Sequence, residues 1–185
     1  MNAAGVTEVG GWLESEIGVP FIVVGGSAIE QEVPVGTKDV DVLISEADWE
    51  TVDGALENRK DASPLEPMDG TIRGTKLAIG GTLIDLEFLS PEPFSGTHPP
   101  GEFVRYVRDD GSKKRGRIRY AGPDVVFYMR LSTEHWQAYV PSIERDLNAG
   151  IDPATLDQVL ALGDRFGVGE RLRGRIQAVR EVLRL

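Results

Sequence analysis

The chain has no cysteine and only two histidines, His98 and His135. A disulfide framework and cysteine-based zinc sites are therefore excluded, and a histidine-rich metal centre is not expected. Long apolar runs are also missing. Nothing approaches the ~20 residues that a membrane-spanning helix needs. The opening stretch, MNAAGVTEVGGWLESE, has neither a basic region nor a long apolar one, so no signal peptide and a cytoplasmic protein are expected. Basic residues are in deficit: 20 Lys and Arg against 30 Asp and Glu give a net charge of -10 and a pI near 4.7. Such a chain is a poor nonspecific ligand for nucleic acid as a whole. One segment runs against the trend. Arg105 to Arg119 holds seven basic residues and two acids, so a local basic surface can sit on an acidic body.

What is present is an ordinary globular composition. The 185 residues are 41% hydrophobic and 27% charged, enough for one domain with a real core, with or without a helical extension. Thr7 to Ile17 carries Val9, Trp12, Leu13 and Ile17 at helical spacing, and Gly18 stops it. Phe21–Val24 is a compact β-branched and aromatic run, hence a buried strand. Gly25 and Gly26 break it, and Ser27 is placed to cap a short helix over Ala28 to Glu32. A loop at Pro34 and Gly36 leads to a second strand, Asp39 to Ile44, and Ser45 is expected to cap a helix over about 46–58. Thr71 to Ile79 and Thr82 to Leu89 read as strands joined at Gly80-Gly81. Phe103 to Arg108 and Arg115 to Tyr120 read as a second hairpin. Pro123 opens a helix running to about Tyr139, and helices over 141–147, 153–166 and 169–183 follow. The change from strands to helices places a division into residues 1–121 and 122–185.

Chemistry gathers in the stretch GGSAIEQEVPVGTKDVDVLI, Gly25 to Ile44. Side chains on a strand alternate faces, so Asp39 and Asp41 point one way and Val40 and Val42 the other. On the later strand Asp85 and Glu87 likewise share a face. If the two strands are neighbours, three or four carboxylates converge. Hard oxygen ligands of that kind suit Mg²⁺ or Mn²⁺, which also keep waters and substrate phosphates. The Gly25-Gly26-Ser27 turn is the complement: glycines let the backbone approach a phosphate, and the amides of a helix start point at it. Asp85 is preferred over Glu87 as the third acid because Ile84 and Leu86 set it deeper in the apolar run. The plainer alternative is that Asp39 and Asp41 form the solvated face of an edge strand, and that the basic segment is a charged turn protecting a sheet edge.

The order Gly25-Gly26-Ser27, then Asp39-Val40-Asp41, then a strand with Asp85 resembles the DNA polymerase β-type nucleotidyltransferases. Thr37-Lys38-Asp39-Val40-Asp41-Val42 is similar to the small branch containing AbiEii-type toxins and minimal nucleotidyltransferases. The resemblance covers residues 20–90. It implies an α/β (α+β) fold: a small mixed β-sheet nucleotidyltransferase core with flanking helices and a helical C-terminal region packed on it. It implies transfer of a nucleoside monophosphate from an NTP to an acceptor, with Asp39, Asp41 and Asp85 as catalytic residues holding Mg²⁺ or Mn²⁺. Gly25, Gly26 and Ser27 would bind the nucleotide, with Lys38 and Arg130 as basic contacts to its triphosphate. The family usually carries an arginine in the loop between the two motifs. EQEVPVG has none, so either Lys38 takes its place or nucleotide affinity is lower. Expected acceptors are RNA such as tRNA, a protein or a small molecule, met at the basic Arg105–Arg119 segment with Tyr106 and Tyr120 as stacking rings. The branch also implies a toxin–antitoxin setting with a cognate partner protein, and no membrane. The alternative from another class is a non-catalytic antitoxin or an RNA- or protein-binding module.

Overall fold

The computed structural model describes residues 3–37, 39–45, 48–60, 73–79, 82–89 and 100–185. Among them six strands form one mixed sheet, in the order β3-β4-β2-β1-β6-β5. The strands are β1 (Phe21–Val24), β2 (Asp39–Ser45), β3 (Arg73–Ile79), β4 (Thr82–Leu89), β5 (Ser112–Arg115) and β6 (Ile118–Ala121). β2 runs antiparallel to β1 and parallel to β4, while β1 runs parallel to β6. β3 with β4 and β5 with β6 are antiparallel pairs. The small mixed sheet with flanking helices and a helical last third is the fold class expected from the sequence.

β2 is internal, with β1 and β4 on either side, so the edge-strand explanation of Asp39 and Asp41 fails. Its burial follows the pleat at the start: Val40 and Val42 are fully buried, Asp39 and Asp41 half-buried. Leu43 and Ile44 then bury both faces at its far end. The acids therefore sit only at the end of the strand where the sheet face opens.

The helices are α1 (Ala3–Gly10), continued by a π-helical stretch (Gly11–Ile17), α2 (Gly25–Ile29), α3 (Trp49–Glu57), α4 (Pro100–Asp109), α5 (Pro123–Ser132), α6 (Val140–Asn148), α7 (Thr155–Arg165) and α8 (Gly169–Leu183). Gly18 ends the first helix in the left-handed region at φ +77°, and the Val19 amide bonds back to the Leu13 carbonyl. Val125, Phe127, Tyr128 and Leu131 of α5 are fully buried, and α5 packs against both α2 and α7.

Two sequence expectations are corrected. Phe103 to Arg108 is not a strand but the body of α4. Phe103 and Val107, four apart, are fully buried while Arg105 is exposed; strand alternation would have driven Arg105 inward with them. The hairpin that does form joins β5 to β6 and turns at Gly116, with φ +63°. The helix predicted from Pro123 to Tyr139 breaks after Ser132, where Thr133 is extended at ψ 160°. A short 3-10 turn (Trp136–Tyr139) precedes α6. The break is held from outside: the Arg175 guanidinium of α8 donates to the Leu131 and Thr133 carbonyls that α5 leaves without helical partners.

Candidate active site

The site is built where β1 ends. Val24, its last residue, stands opposite Asp41 of β2, and Asp41 stands opposite Asp85 of β4. The two aspartates are thus register partners on adjacent parallel strands, whereas Glu87 is the register partner of Leu43. At Asp85 and Glu87 the backbone alone is described.

Beyond Val24 the chain must turn sharply over the sheet. Gly25 does this in the left-handed region, at φ +59°. A Cβ at Gly25 would lie 1.7 Å from Asp41 Oδ2, so the turn rests directly on the carboxylate. The next amide completes the contact: Gly26 N–H donates to Asp41 Oδ2 at 3.3 Å. Gly26 is bare for a second reason, since a Cβ there would meet Thr37 Oγ1 at 2.8 Å. The Thr37 hydroxyl in turn donates to Asp39 Oδ1 at 2.9 Å.

Ser27 does not cap α2. The helix begins at Gly25 with no side-chain cap. Ser27 is buried in its first turn, and its hydroxyl donates to the Asp39 carbonyl at 2.7 Å, tying α2 to the start of β2. The Gly25, Gly26 and Ser27 amides belong to that first turn, whose N–H groups have no partners within a helix.

The loop from α2 to β2 is shaped by a residue that the sequence reading passed over. Glu30 is buried at 7% exposure, and its Oε2 accepts from the Val35 amide at 2.9 Å and the Gly36 amide at 2.7 Å. Burial pushes its carboxyl up while these amides and that of Thr37 pull it down, and the group lies below its usual range. The unfolded chain therefore binds a proton that the folded chain does not, and stability rises with pH across that interval. Glu30→Ala should cost roughly 1–3 kcal/mol at neutral pH, the effect of leaving amides without a charged partner. Urea unfolding should show the full difference above the ordinary value of 4.5, and a smaller one once pH has fallen through the lowered value, since only the part owed to the charged form is lost. The one sequence signal was an acid set four and six residues before the turn residues Pro34 and Gly36.

The basic contacts fare differently. Lys38 lies outside the described residues. Arg130 has an acid partner: it is 10% exposed on its side chain, and its Nη1 bonds Asp146 Oδ2 of α6 at 2.6 Å, with Asp146 fully buried. The basic segment forms the last turns of α4 and the β5–β6 hairpin at the sheet edge. Lys113, Lys114, Arg115 and Arg117 are exposed there. Arg115 bonds the Gln31 carbonyl at 2.8 Å and Glu32 at 2.9 Å, which ties the hairpin to the end of α2. The two rings expected to stack on bases pack inward instead. Tyr120 is buried. Tyr106 donates to Asp124 at 3.2 Å and lies under the Arg165 guanidinium at 4.7 Å. Burial and the Asp124 charge push its hydroxyl up to about 12.

Two half-buried carboxylates on one sheet face, each with one oxygen pinned, form a hard-oxygen donor set that fits Mg²⁺ or Mn²⁺. Among the residues whose side chains are described no third acid or histidine joins them. The place for one is the Asp85 position beside Asp41.

No protein-family model and no curated protein matches the chain. Two solved structures from Helicobacter pylori are similar to it. One is named as a candidate nucleotidyltransferase, at 10% identity and a TM-score of 0.41, over 99% of this chain and 84% of that one. The other is JHP933, at 9% identity and a TM-score of 0.41, over 98% of this chain and 92% of that one. Likenesses this distant establish neither family nor activity.

Proposed function

We propose that the chain is a metal-dependent nucleotidyltransferase that moves a nucleoside monophosphate from an NTP to an acceptor. The observation that carries this is the Gly25–Gly26 turn seated on Asp41, with Asp39 on the same face and Asp85 in register on the next strand. Asp39, Asp41 and Asp85 would hold Mg²⁺ or Mn²⁺, which supplies charge stabilisation to the phosphates and lowers the pKa of the attacking oxygen. The chain itself would position the reactants. Gly25, Gly26 and Ser27 would hold the triphosphate beside that metal, at a turn whose glycines seat it on Asp41 and Thr37. Lys38 is the stronger candidate for a triphosphate contact, since Arg130 is engaged by Asp146. An acceptor oxygen would form the new bond to the α-phosphorus, the bond to the β-phosphate would break, pyrophosphate would leave, and the acceptor's proton would pass to solvent or a carboxylate.

The acceptor is an RNA such as tRNA, a protein or a small molecule, and the exposed Lys113–Arg117 tip is the surface on which an anionic acceptor would rest. A toxin–antitoxin role with a cognate partner protein belongs to the same reading. The engagement of Arg130 and the loop without arginine favour one second reading, a non-catalytic antitoxin or binding module of the same fold. Incubation with each α-labelled NTP, Mg²⁺ or Mn²⁺, and total tRNA or cell lysate separates them. Label transferred to RNA, protein or a small molecule is the expected result; no label on any acceptor under either metal overturns the enzymatic reading.

A further inference from the structure

Asp39 is the first residue of β2, where a strand end gives a side chain little lateral support. A half-buried carboxylate at such a place would sample several rotamers. Here one of its oxygens is fixed by the Thr37 hydroxyl, at 2.9 Å. Thr37 is itself hemmed in. Gly26 abuts it, close enough that a Cβ there would lie 2.8 Å from Oγ1. The two residues before it, Val35 and Gly36, are clamped through their amides by buried Glu30. The other acid is held independently, through Oδ2 by the Gly26 amide. Gly26 therefore touches both restraints: it donates to one carboxylate and packs against the hydroxyl that holds the other.

We propose that Thr37 is a positioning residue that presets the Asp39 carboxylate for a divalent cation, with the Glu30-clamped turn as its support. This rests on the metal-dependent reading above. Hydrogen-bonding Oδ1 to Thr37 directs Asp39 to offer a cation its other oxygen. Groups that orient a ligand in this way typically change metal affinity by about 10–100-fold when removed.

The test is titration of the protein with Mn²⁺ alone, following the free-ion electron paramagnetic resonance signal, on wild type, Thr37→Val and Thr37→Ser. Circular dichroism and thermal melting establish that each is folded. Thr37→Val, which keeps the shape and removes the hydroxyl, should weaken Mn²⁺ binding by about tenfold or more. Thr37→Ser should restore it to near the wild-type value. In the transfer assay, the Thr37→Val defect should shrink as Mn²⁺ is raised, with KM for the NTP little changed. Unchanged Mn²⁺ affinity in folded Thr37→Val overturns the positioning role and leaves the proposed activity standing. An equal loss in Thr37→Val and Thr37→Ser overturns it as well, since the hydroxyl would then be irrelevant. A wild-type protein that binds no Mn²⁺ removes both this role and the metal-dependent reading. Should Thr37→Val fail to fold, Thr37→Ala carries the same readout.

Discussion

Asp41→Asn should lower nucleotidyl transfer on the order of a thousandfold or more, a loss of about 4 kcal/mol of transition-state stabilisation, while the protein stays folded. The separation of the two effects follows from the geometry. Asparagine keeps an oxygen at the position that accepts the Gly26 amide, and it keeps the volume on which the Gly25 turn rests. What it removes is the negative charge at the centre of the register row that joins Val24, Asp41 and Asp85. A cation held by hard oxygens loses both a charge and a strong ligand by that exchange. Circular dichroism and a melting curve close to wild type, together with absent label transfer, would be the supporting result. A folded variant with full transfer would show that the chemistry lies elsewhere in the chain.

Asp146→Ala should be the most destabilising single change in the helical region, by about 3–5 kcal/mol, because it leaves a buried guanidinium without its partner. Asp146 is fully buried and receives two arginines: Arg130 on Oδ2 at 2.6 Å, and Arg145 on Oδ1 through Nε at 2.8 Å and Nη2 at 2.7 Å. The two are not equivalent. Arg130 is 10% exposed and Arg145 is 44% exposed, so removal of Arg145 should cost much less. Replacing Arg130 and Asp146 together by apolar residues of similar volume should recover most of the stability lost by Asp146→Ala. Urea midpoints for the single and double variants measure this directly. The same series bears on the nucleotide site. If Arg130 acts only within this network, the paired apolar replacement will leave KM for the NTP unchanged; a raised KM in a stable double variant would return Arg130 to the triphosphate.

The parts of this molecule that were legible in the sequence are those written in local pattern. The alternation of Asp39-Val40-Asp41-Val42 gave both the strand and the shared face of its acids. The apolar run at Phe21–Val24 and the residues from Thr82 to Leu89 marked their strands, whereas the sequence left the neighbouring of β2 with β4 as a condition, which the parallel pairing meets. α8 occupies the span its periodicity predicts. Local pattern misled where apolar residues were few. In Phe103 to Arg108 the run was short enough to fit either period, and burial of Phe103 and Val107 against α5 and α7 residues decided it: the Phe103 ring lies 5.4 Å from Tyr128 and 5.8 Å from Phe166. Illegible altogether were the contacts between polar residues distant in sequence. Nothing local announces that Arg130 will find Asp146, that Arg175 will cap α5, or that Ser27 will serve the Asp39 carbonyl in place of its own helix. Glu30 and Thr37 belong to the same class, since their value depends on a loop geometry that exists only after β1 and β2 have paired.

The interlock between Gly25 and Asp41 also bears on descent. As long as position 41 carries an acid under the turn, position 25 tolerates no side chain, because 1.7 Å leaves no room for one. Were a lineage to discard the acid for a smaller residue, that steric veto would lift, though the backbone at position 25 would still favour glycine. The two positions are therefore coupled in mutation as well as in space. A change at position 25 should be found only where position 41 has already lost its acid, while the apolar face of Val40 and Val42 holds constant.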